Sequence, residues 1–369
     1  MTPFRFVFVL EQGLGHTVHS LNIESALAAE PDIDATLLKV RPGETPGVRP
    51  LPLVRNWSVQ TSWAARRALR QDLGRRPADC VFIHTQVAAL FLRAAMRRVP
   101  TVISLDATPL NFDSQAEAYG HRQQARPVEW AKLRVNRRAL AGAAATVTWS
   151  QWAADSLVND YGMAPDRVHP IYPGVQLSRF RPRAAGHDGP LRLLFVGGDF
   201  IRKGGLDLLE AVRSLGGAIE VDIVTSSPGQ VPTHPGAGVS VYSGVDPNSA
   251  AMADLYGRAD VFVLPTRGDC TPLVIAEAMA SGLAIVSTTV GSIPDMVSDG
   301  RNGILVPPAD PRALAAALAS LARDRRRLQE MGALSRRLAE AEHDSVANCR
   351  RIFQLMRQAA AGAEQVVSR

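Results

Sequence analysis

The chain has 369 residues, of which 46% are hydrophobic and 21% charged; these are the proportions of a folded globular protein, and they exclude general disorder. This length predicts two domains. The three cysteines, Cys80, Cys270 and Cys349, are far apart and form no CxxC pair. Their spacing argues against a disulfide scaffold and a cysteine-rich zinc site, and we expect a reducing, cytoplasmic compartment. No apolar run approaches the ~20 residues that a membrane helix requires.

The net charge of +6 is confined to the first half of the chain. Residues 1–180 contain 21 Lys and Arg against 15 Asp and Glu, whereas residues 181–369 contain 20 of each. The excess is concentrated in residues 66–76 and 122–138. A basic half indicates an anionic partner, such as a membrane surface, a lipid phosphate or a nucleic acid, or else a solvated helix face with no partner. Because the chain has no recognisable module for reading nucleic acid, we do not expect that partner.

Along the chain, strand-like apolar runs alternate with helical patterns. In the first half, the predicted strands are residues 4–10, 34–40, 80–84, 101–105 and 145–149, and the predicted helices are 20–29, 61–72, 87–97 and 114–141. Proline and glycine then crowd residues 165–190, which marks a domain boundary. In the second half, the predicted strands are residues 191–196, 221–224, 239–241, 261–264, 284–287 and 303–306, and the predicted helices are 206–214, 273–281, 311–322 and 345–367.

This alternation predicts an α/β protein with two doubly wound, Rossmann-like domains, each built on a parallel sheet. We expect the domains to span residues 1–182 and 190–344, and a C-terminal helix over residues 345–369 to pack back toward the first domain. Ligands of such sheets bind beyond the carboxyl ends of the strands. Two of these domains facing each other would therefore enclose a binding cleft.

The first glycine loop, residues 13–17, follows the first predicted strand. It does not complete the dinucleotide motif GxGxxG, because the sixth position is Val18. Gly15 still allows the backbone to approach a ligand closely. His16 and His19 are either polar groups at the cleft or plain residues of a loop and a helix start.

The second glycine loop, residues 197–205, contains two glycines followed by adjacent cations. Gly198 lies just beyond the strand, and Arg202 and Lys203 precede the next helix. Cations and the free amides of a helix start together form a site for a diphosphate. A surface turn with two solvated cations is an equal alternative.

The third segment, residues 265–282, combines a glycine loop with an apolar helix. We expect Thr271 and Pro272 to be the N-cap and first residue of that helix, so that the amides of Leu273 and Val274 stay free for a ligand. Glu277 lies on the otherwise apolar helix, where a carboxylate is costly without a partner. That partner is either a ribose diol or an internal hydrogen-bond donor.

At these residues the chain resembles the retaining glycosyltransferases of family four, which have the GT-B fold. The family pattern is an acidic residue, seven residues and then Glu; here it is Asp269 and Glu277, with Asp in place of the usual Glu. Lys203 matches the family's phosphate-binding Lys. The family's Arg position is occupied by Gly198, and Arg202 is a neighbouring substitute for the missing cation.

The resemblance implies transfer of a sugar from a nucleoside-diphosphate sugar to an acceptor, with retention of anomeric configuration. It implies catalytic roles for Lys203, Arg202 and Asp269, a ribose contact for Glu277, and contacts with the donor from Gly15 and Gly198. We expect no cofactor and no metal, because the chain has no DxD motif.

On the acceptor side, His16, His84 and Asp106 are weaker candidates, each of which is equally compatible with a structural role. The basic first domain suggests an acceptor that is phosphorylated or membrane-associated, and thus a peripheral place at the inner membrane face. Two alternatives stay open: a nucleotide-sugar epimerase of the same fold, and a non-catalytic protein that binds nucleotide sugars.

Overall fold

The chain forms two units, each of which has its own parallel sheet and core. The computed structural model describes residues 3–13, 15–41, 56–120, 125–182, 189–216 and 219–367, with the side chains of the last helix described as far as residue 363. Unit 1 comprises Met1–Asp113, Gln123–Gly174 and Ser345–Arg369, and unit 2 comprises Ser114–Arg122 and Val175–Asp344. The sequence placed the division at residues 182–190, whereas the contacts of the structure divide the chain between Gly174 and Val175. Residues 183–188 of the predicted boundary lie outside the described residues.

The described strands of unit 1 form a six-stranded parallel sheet in the order β2-β1-β3-β4-β5-β6. They are β1 (Phe4–Glu11), β2 (Ile33–Val40), β3 (Cys80–His84), β4 (Thr101–Leu105), β5 (Ala145–Thr148) and β6 (Val168–Pro170). The helices of this unit are α1 (His16–Leu27), α2 (Trp57–Leu73), α3 (Gln86–Ala89), α4 (Arg93–Met96), α5 (Pro109–Asp113), α6 (Arg126–Leu140), α7 (Gln151–Asn159) and, from the end of the chain, α14 (Ser345–Val367).

Both faces of the unit 1 sheet are buried, as the doubly wound prediction requires. Side chains alternate along β1, so that Phe6 and Phe8 face one core and Val7 and Val9 face the other. The core around Phe8 is completed by α14, where the ring of Phe353 meets that of Phe8 edge-on at 6.0 Å. The C-terminal helix is therefore an integral part of unit 1.

The described strands of unit 2 form a second six-stranded parallel sheet in the order β12-β11-β10-β7-β8-β9. They are β7 (Leu191–Val196), β8 (Ile219–Val224), β9 (Val239–Tyr242), β10 (Val261–Leu264), β11 (Ala284–Thr288) and β12 (Gly303–Val306). The helices of this unit are α8 (Gly205–Leu215), α9 (Ala250–Arg258), α10 (Leu273–Ala280), α11 (Ile293–Met296), α12 (Pro311–Arg323) and α13 (Arg325–Glu342). Because β7 and β10 are neighbours, the loops that follow them meet at one edge of the sheet.

The predicted helix over residues 114–141 is wrong in its first part. Residues 114–120 form turns that end at Gly120, which has a positive φ of 62°, and α6 begins only at Arg126 with Pro127 in its first turn. A left-handed residue interrupts a helix, and proline is favoured where a new one starts. Residues 121–124, which include the basic Arg122, lie outside the described part of the chain. The turns at 114–120 belong to unit 2, although α5 and α6 on either side belong to unit 1.

Candidate functional site

Two of the predicted catalytic residues form an ion pair in unit 2. The Nζ of Lys203, from the loop after β7, donates to Oδ2 of Asp269, from the loop after β10. The two side chains are only 14% and 11% exposed. The structure thus joins two residues that are 66 positions apart in the sequence, at the carboxyl edge of the sheet where ligands of this fold bind.

Glycines let the two loops approach this closely. Gly204 has a φ of 80°, and a Cβ at this position would overlap the carbonyl oxygen of Pro265. Gly291, with a φ of 57°, carries the same constraint, because its Cβ would overlap the carbonyl oxygen of Asp269. Positive φ and close backbone approach both require glycine. These two positions therefore hold the Lys203–Asp269 pair in place from either side.

Arg202 is engaged by its own loop and by a turn of the 114–120 segment. Its Nη1 donates to the carbonyl oxygen of Gly268 at 2.6 Å, and its Nε lies 3.3 Å from Oδ2 of Asp199. The guanidinium carbon lies 4.6 Å from the centre of the Tyr119 ring, within the range of a cation–π contact. Arg202 thus stabilises the loop that carries Asp269, and its predicted phosphate contact stays a prediction.

Gly198 lies earlier in the same loop as Arg202. Its carbonyl oxygen accepts a hydrogen bond from the hydroxyl of Ser226 at 3.1 Å.

The prediction that Thr271 caps the next helix is wrong. Helix α10 begins at Leu273, and its N-cap is Pro272, whose ψ of 101° is extended rather than helical and which makes no side-chain cap. The hydroxyl of Thr271 instead accepts from that of Ser292 at 3.2 Å. Among the described residues, no acceptor is found for the amides of Leu273 and Val274. The amides at the start of α10 are consequently left without protein acceptors in the described part of the chain, and their predicted contact with an anion stays a prediction.

Glu277 has an internal partner. The carboxylate is buried on α10, and the hydroxyl of Tyr256 donates to its Oε2 at 2.7 Å. Burial raises the pKa of Glu277 to about 7, although the hydrogen bond from Tyr256 and the charge of Arg179 oppose the shift. Burial beside Glu277 also raises the pKa of the Tyr256 phenol well above its usual value. Of the two partners that the sequence left open, the internal donor is present, and it occupies one carboxylate oxygen.

The predicted acceptor-side residues also come together, within unit 1. His16 lies just after Gly15, the N-cap of α1, and its Nδ1 contacts Oε2 of the buried Glu11. Its Nε2 lies 3.7 Å from Oδ2 of Asp106, beyond the end of β4. Burial by itself lowers the pKa of His16, but the hydrogen bonds to Asp106 and Glu11 outweigh it and raise the pKa to about 9. His16 is therefore a cation held between two carboxylates at neutral pH.

His84 packs beside this group as a neutral ring. It stacks on Trp149 at 5.0 Å with an interplanar angle of 6°, and His16 meets its edge at 4.7 Å. Neither ring nitrogen of His84, nor Nε2 of His19, has a hydrogen-bond partner among the described residues. Burial lowers the pKa of His84 far below its usual value and that of His19 to about 3. The carboxyl edge of the unit 1 sheet thus holds a buried polar cluster with unused donors and acceptors.

Four residues of these sites were missed from the sequence: Glu11, Gln115, Tyr119 and Tyr256. Glu11 is the last residue of a buried strand, and a carboxylate at that position could have indicated a site at the carboxyl edge of the sheet. Gln115, Tyr119 and Tyr256 reach the site only through the fold, and no local pattern marks them. Within the described residues, no group of three His, Cys, Asp or Glu side chains is arranged to hold a metal ion. None of the described helices combines the length and apolar character of a membrane span.

Comparison with known proteins identifies the family. Residues 10–179 match Glycosyltransferase Family 4, and residues 190–324 match Glycosyl transferases group 1. The chain is 30% identical over 291 residues to D-inositol 3-phosphate glycosyltransferase 1 of Catenulispora acidiphila, across 70% of this chain and 68% of that relative. Its matches to several other D-inositol 3-phosphate glycosyltransferases span about half of their length.

Solved structures agree with this assignment at the level of the fold. Sucrose-phosphate synthase from Thermosynechococcus elongatus superposes with a TM-score of 0.76 at 18% identity, over 97% of this chain and all of that one. Anabaena HepE in complex with UDP superposes with a TM-score of 0.71 at 16% identity, over 96% of this chain and all of that one. Because matches to the family cover both units and the identity to one relative extends over more than two thirds of its length, the chain belongs to glycosyltransferase family 4 and is a glycosyltransferase of the GT-B fold.

Proposed function

We propose that this glycosyltransferase takes its sugar from a nucleoside-diphosphate sugar and transfers it with retention of anomeric configuration. The observation that carries the proposal is the Lys203–Asp269 pair on the unit 2 sheet that also presents the open start of α10. HepE, with the same fold, was solved in complex with UDP. Retention is the stereochemistry that the family resemblance implies.

Lys203 and the start of α10 would stabilise the leaving diphosphate. As the bond to the sugar breaks, negative charge accumulates on the phosphate oxygens, and fixed donors that point at those oxygens lower the barrier. An ammonium group has three donors, so Lys203 can keep its contact with Asp269 and still bind a phosphate oxygen. The amides of Leu273 and Val274 add the partial positive charge of a helix start. These groups suffice for the charge, and the proposal needs no metal or other cofactor.

Glu277 and Asp269 would bind the two ends of the donor. The Oε2 of Glu277 is occupied by Tyr256, which leaves the other carboxylate oxygen for a ribose hydroxyl. Asp269 would accept from hydroxyls of the transferred sugar. An aspartate reaches less far than the glutamate usual in the family, so the hydroxyls that it contacts would differ.

The acceptor would bind at unit 1, and we expect it to be phosphorylated or membrane-associated. The name of the Catenulispora relative includes D-inositol 3-phosphate, a phosphorylated acceptor. Helix α6 presents exposed Trp130, Val128 and Val135, which are 61%, 46% and 45% exposed, together with Arg134 and Arg138. Such a mixture of basic and apolar groups suits an anionic membrane surface, and a cytoplasmic protein would lie at its inner face.

A screen of nucleotide sugars by thermal shift tests the donor, since the ligand that binds the folded state raises the melting temperature. The configuration of the product, read from its anomeric proton by NMR, tests retention. An inverted product would refute the stereochemistry, and free epimerised sugar without transfer would refute the reaction.

A further inference from the structure

The turns at residues 114–120 contact the predicted donor loop at three successive points. The Oε1 of Gln115 accepts from the backbone N–H of Asp269 at 2.6 Å. The Tyr119 ring lies against the guanidinium of Arg202, and a Cβ at Gly268 would overlap that of Ala118. All these residues belong to unit 2. The segment therefore forms one wall of the loop that carries Asp269.

The hydrogen bond to Asp269 fixes the orientation of the Gln115 amide. A backbone N–H can only donate, so the carboxamide oxygen must face it and the nitrogen must point the other way. The Nε2 is buried and has no acceptor among the described residues. It lies beside Gly291, 3.0 Å from the point that a Cβ there would occupy. The donor group is thus held close to the backbone of Asp269, with its two N–H bonds unused.

A buried amide nitrogen without an acceptor is costly, and buried polar groups in folded proteins are nearly always paired. The cost disappears if a ligand oxygen completes the pairing. Gln115 is attached to the loop of Asp269, which would bind the transferred sugar, whereas the diphosphate would lie at Lys203 and the start of α10. The ligand oxygen nearest in chemistry and position is therefore a sugar hydroxyl.

We propose that Gln115 is a sugar-recognition and positioning residue of the donor site. Its Oε1 holds the backbone of Asp269, and its Nε2 donates to a hydroxyl of the sugar being transferred. This inference rests on the proposed function, because it requires a nucleoside-diphosphate sugar. It adds that a residue from the first half of the chain distinguishes the intact donor from the free nucleotide.

The substitution Gln115→Glu separates the two roles. It keeps an oxygen for the N–H of Asp269, replaces the N–H₂ donor by a second oxygen and adds a negative charge. Gln115→Met has a similar size and removes both. Gln354→Glu makes the same change of charge on the exposed side of α14 and serves as the matched control. The melting temperatures of all three variants show whether they fold. If Gln115→Glu does not fold, Gln115→Met is used for the test instead.

Titration calorimetry of the wild type would first measure the Kd of UDP, GDP, UDP-glucose, UDP-N-acetylglucosamine and GDP-mannose. The variants would then be titrated with the nucleotide sugar that the wild type binds best and with the free nucleotide of that sugar. For Gln115→Glu we expect the Kd of the nucleotide sugar to rise about 5- to 10-fold, as for one lost hydrogen bond, and that of the free nucleotide to change less than about twofold. In turnover assays the donor KM should rise with Gln115→Glu, while Gln115→Met should also lower kcat because the Asp269 loop loses its anchor. Gln354→Glu should match the wild type in both.

Unchanged nucleotide-sugar affinity in both Gln115 variants would overturn the inference. Equal weakening of nucleotide and nucleotide sugar in Gln115→Met, which adds no charge, would place the contact on the diphosphate and overturn the assignment to the sugar. A wild type that binds neither these five compounds nor any nucleotide sugar of the thermal-shift screen would instead refute the proposed donor class, and this inference would fail with it.

Discussion

Glu277 should make unit 2 less stable as the pH rises, because its pKa is higher in the folded protein than in the unfolded chain. Burial raises its pKa from about 4.5 to about 7, so the folded protein keeps a proton that the unfolded chain releases. The group therefore costs nothing below pH 4.5 and destabilises the fold progressively as the pH rises through 7. With these two values, we expect the carboxyl group to lower the free energy of unfolding by about 2.5 kcal/mol between pH 5 and pH 8, since each pKa unit corresponds to about 1.4 kcal/mol.

The substitution Glu277→Gln should remove this dependence. The amide keeps an oxygen for the hydroxyl of Tyr256 but does not ionise in this range. Urea unfolding of wild type and variant at pH 5, 6, 7 and 8 would measure the difference, and the variant should gain stability relative to the wild type at each step. Glu210→Gln, on the exposed side of α8, is the control and should leave the pH profile unchanged. A difference between wild type and Glu277→Gln that stays constant from pH 5 to pH 8 would refute the reasoning.

Four further predictions concern the two sites and the exposed face of α6. Lys203→Ala should lower the rate of nucleotide release from the donor by about 10²–10³-fold or more while the fold persists, and normal turnover would contradict its role. Gly291→Ala should destabilise unit 2 by more than about 1 kcal/mol in chemical unfolding, because of its positive φ and its contact with Asp269; unchanged stability would be inconsistent with that contact. The substitution His16→Gln should lower the free energy of unfolding by about 3 kcal/mol more at pH 6 than at pH 10. The raised pKa of His16 stabilises the fold fully below pH 6.5, and this stabilisation is lost as the pH rises above 9. A loss of stability that does not depend on pH would argue against a charged His16. Trp130→Ser with Arg134→Ala should reduce co-sedimentation with anionic liposomes at low salt, and a wild type that does not bind them would remove the membrane proposal.

The strands and the positions of the glycine loops could be predicted because their signals are local. Buried parallel strands are continuous apolar runs, and the predicted strand at residues 4–10 differs from β1 by one residue at its end. The glycine loops after β7 and β10 lie beyond strands, and the fold brings such loops to one edge. Lys203 and Asp269 were named because they match the pattern of the family that the chain resembles, and their roles in donor binding stay predictions.

The supporting contacts could not be predicted, because they join distant parts of the chain. Gln115 and Asp269 are 154 residues apart, and nothing in the helix-like composition of residues 114–120 points to a turn. Tyr256 contacts Glu277 from a different helix, and no local sequence pattern distinguishes it from an aromatic residue of the core. Thr271 followed by Pro272 is a common helix start, but its hydroxyl is taken by Ser292, a residue of the next loop. At each of these positions, a hydrogen bond to a distant part of the chain determines the contact, and the local sequence does not reveal it.

The return of α14 to the first sheet has a consequence for synthesis. Phe8 and Phe353, whose rings are in contact, are 345 residues apart in the sequence, so Phe8 is synthesised long before the helix that covers it is made. Until then, one face of the growing sheet is without its final layer, whereas every residue of unit 2 has been made once Asp344 is joined. All residues of unit 2 are thus made before unit 1 is complete, and the core around Phe8 lacks one of its layers until α14 has been made.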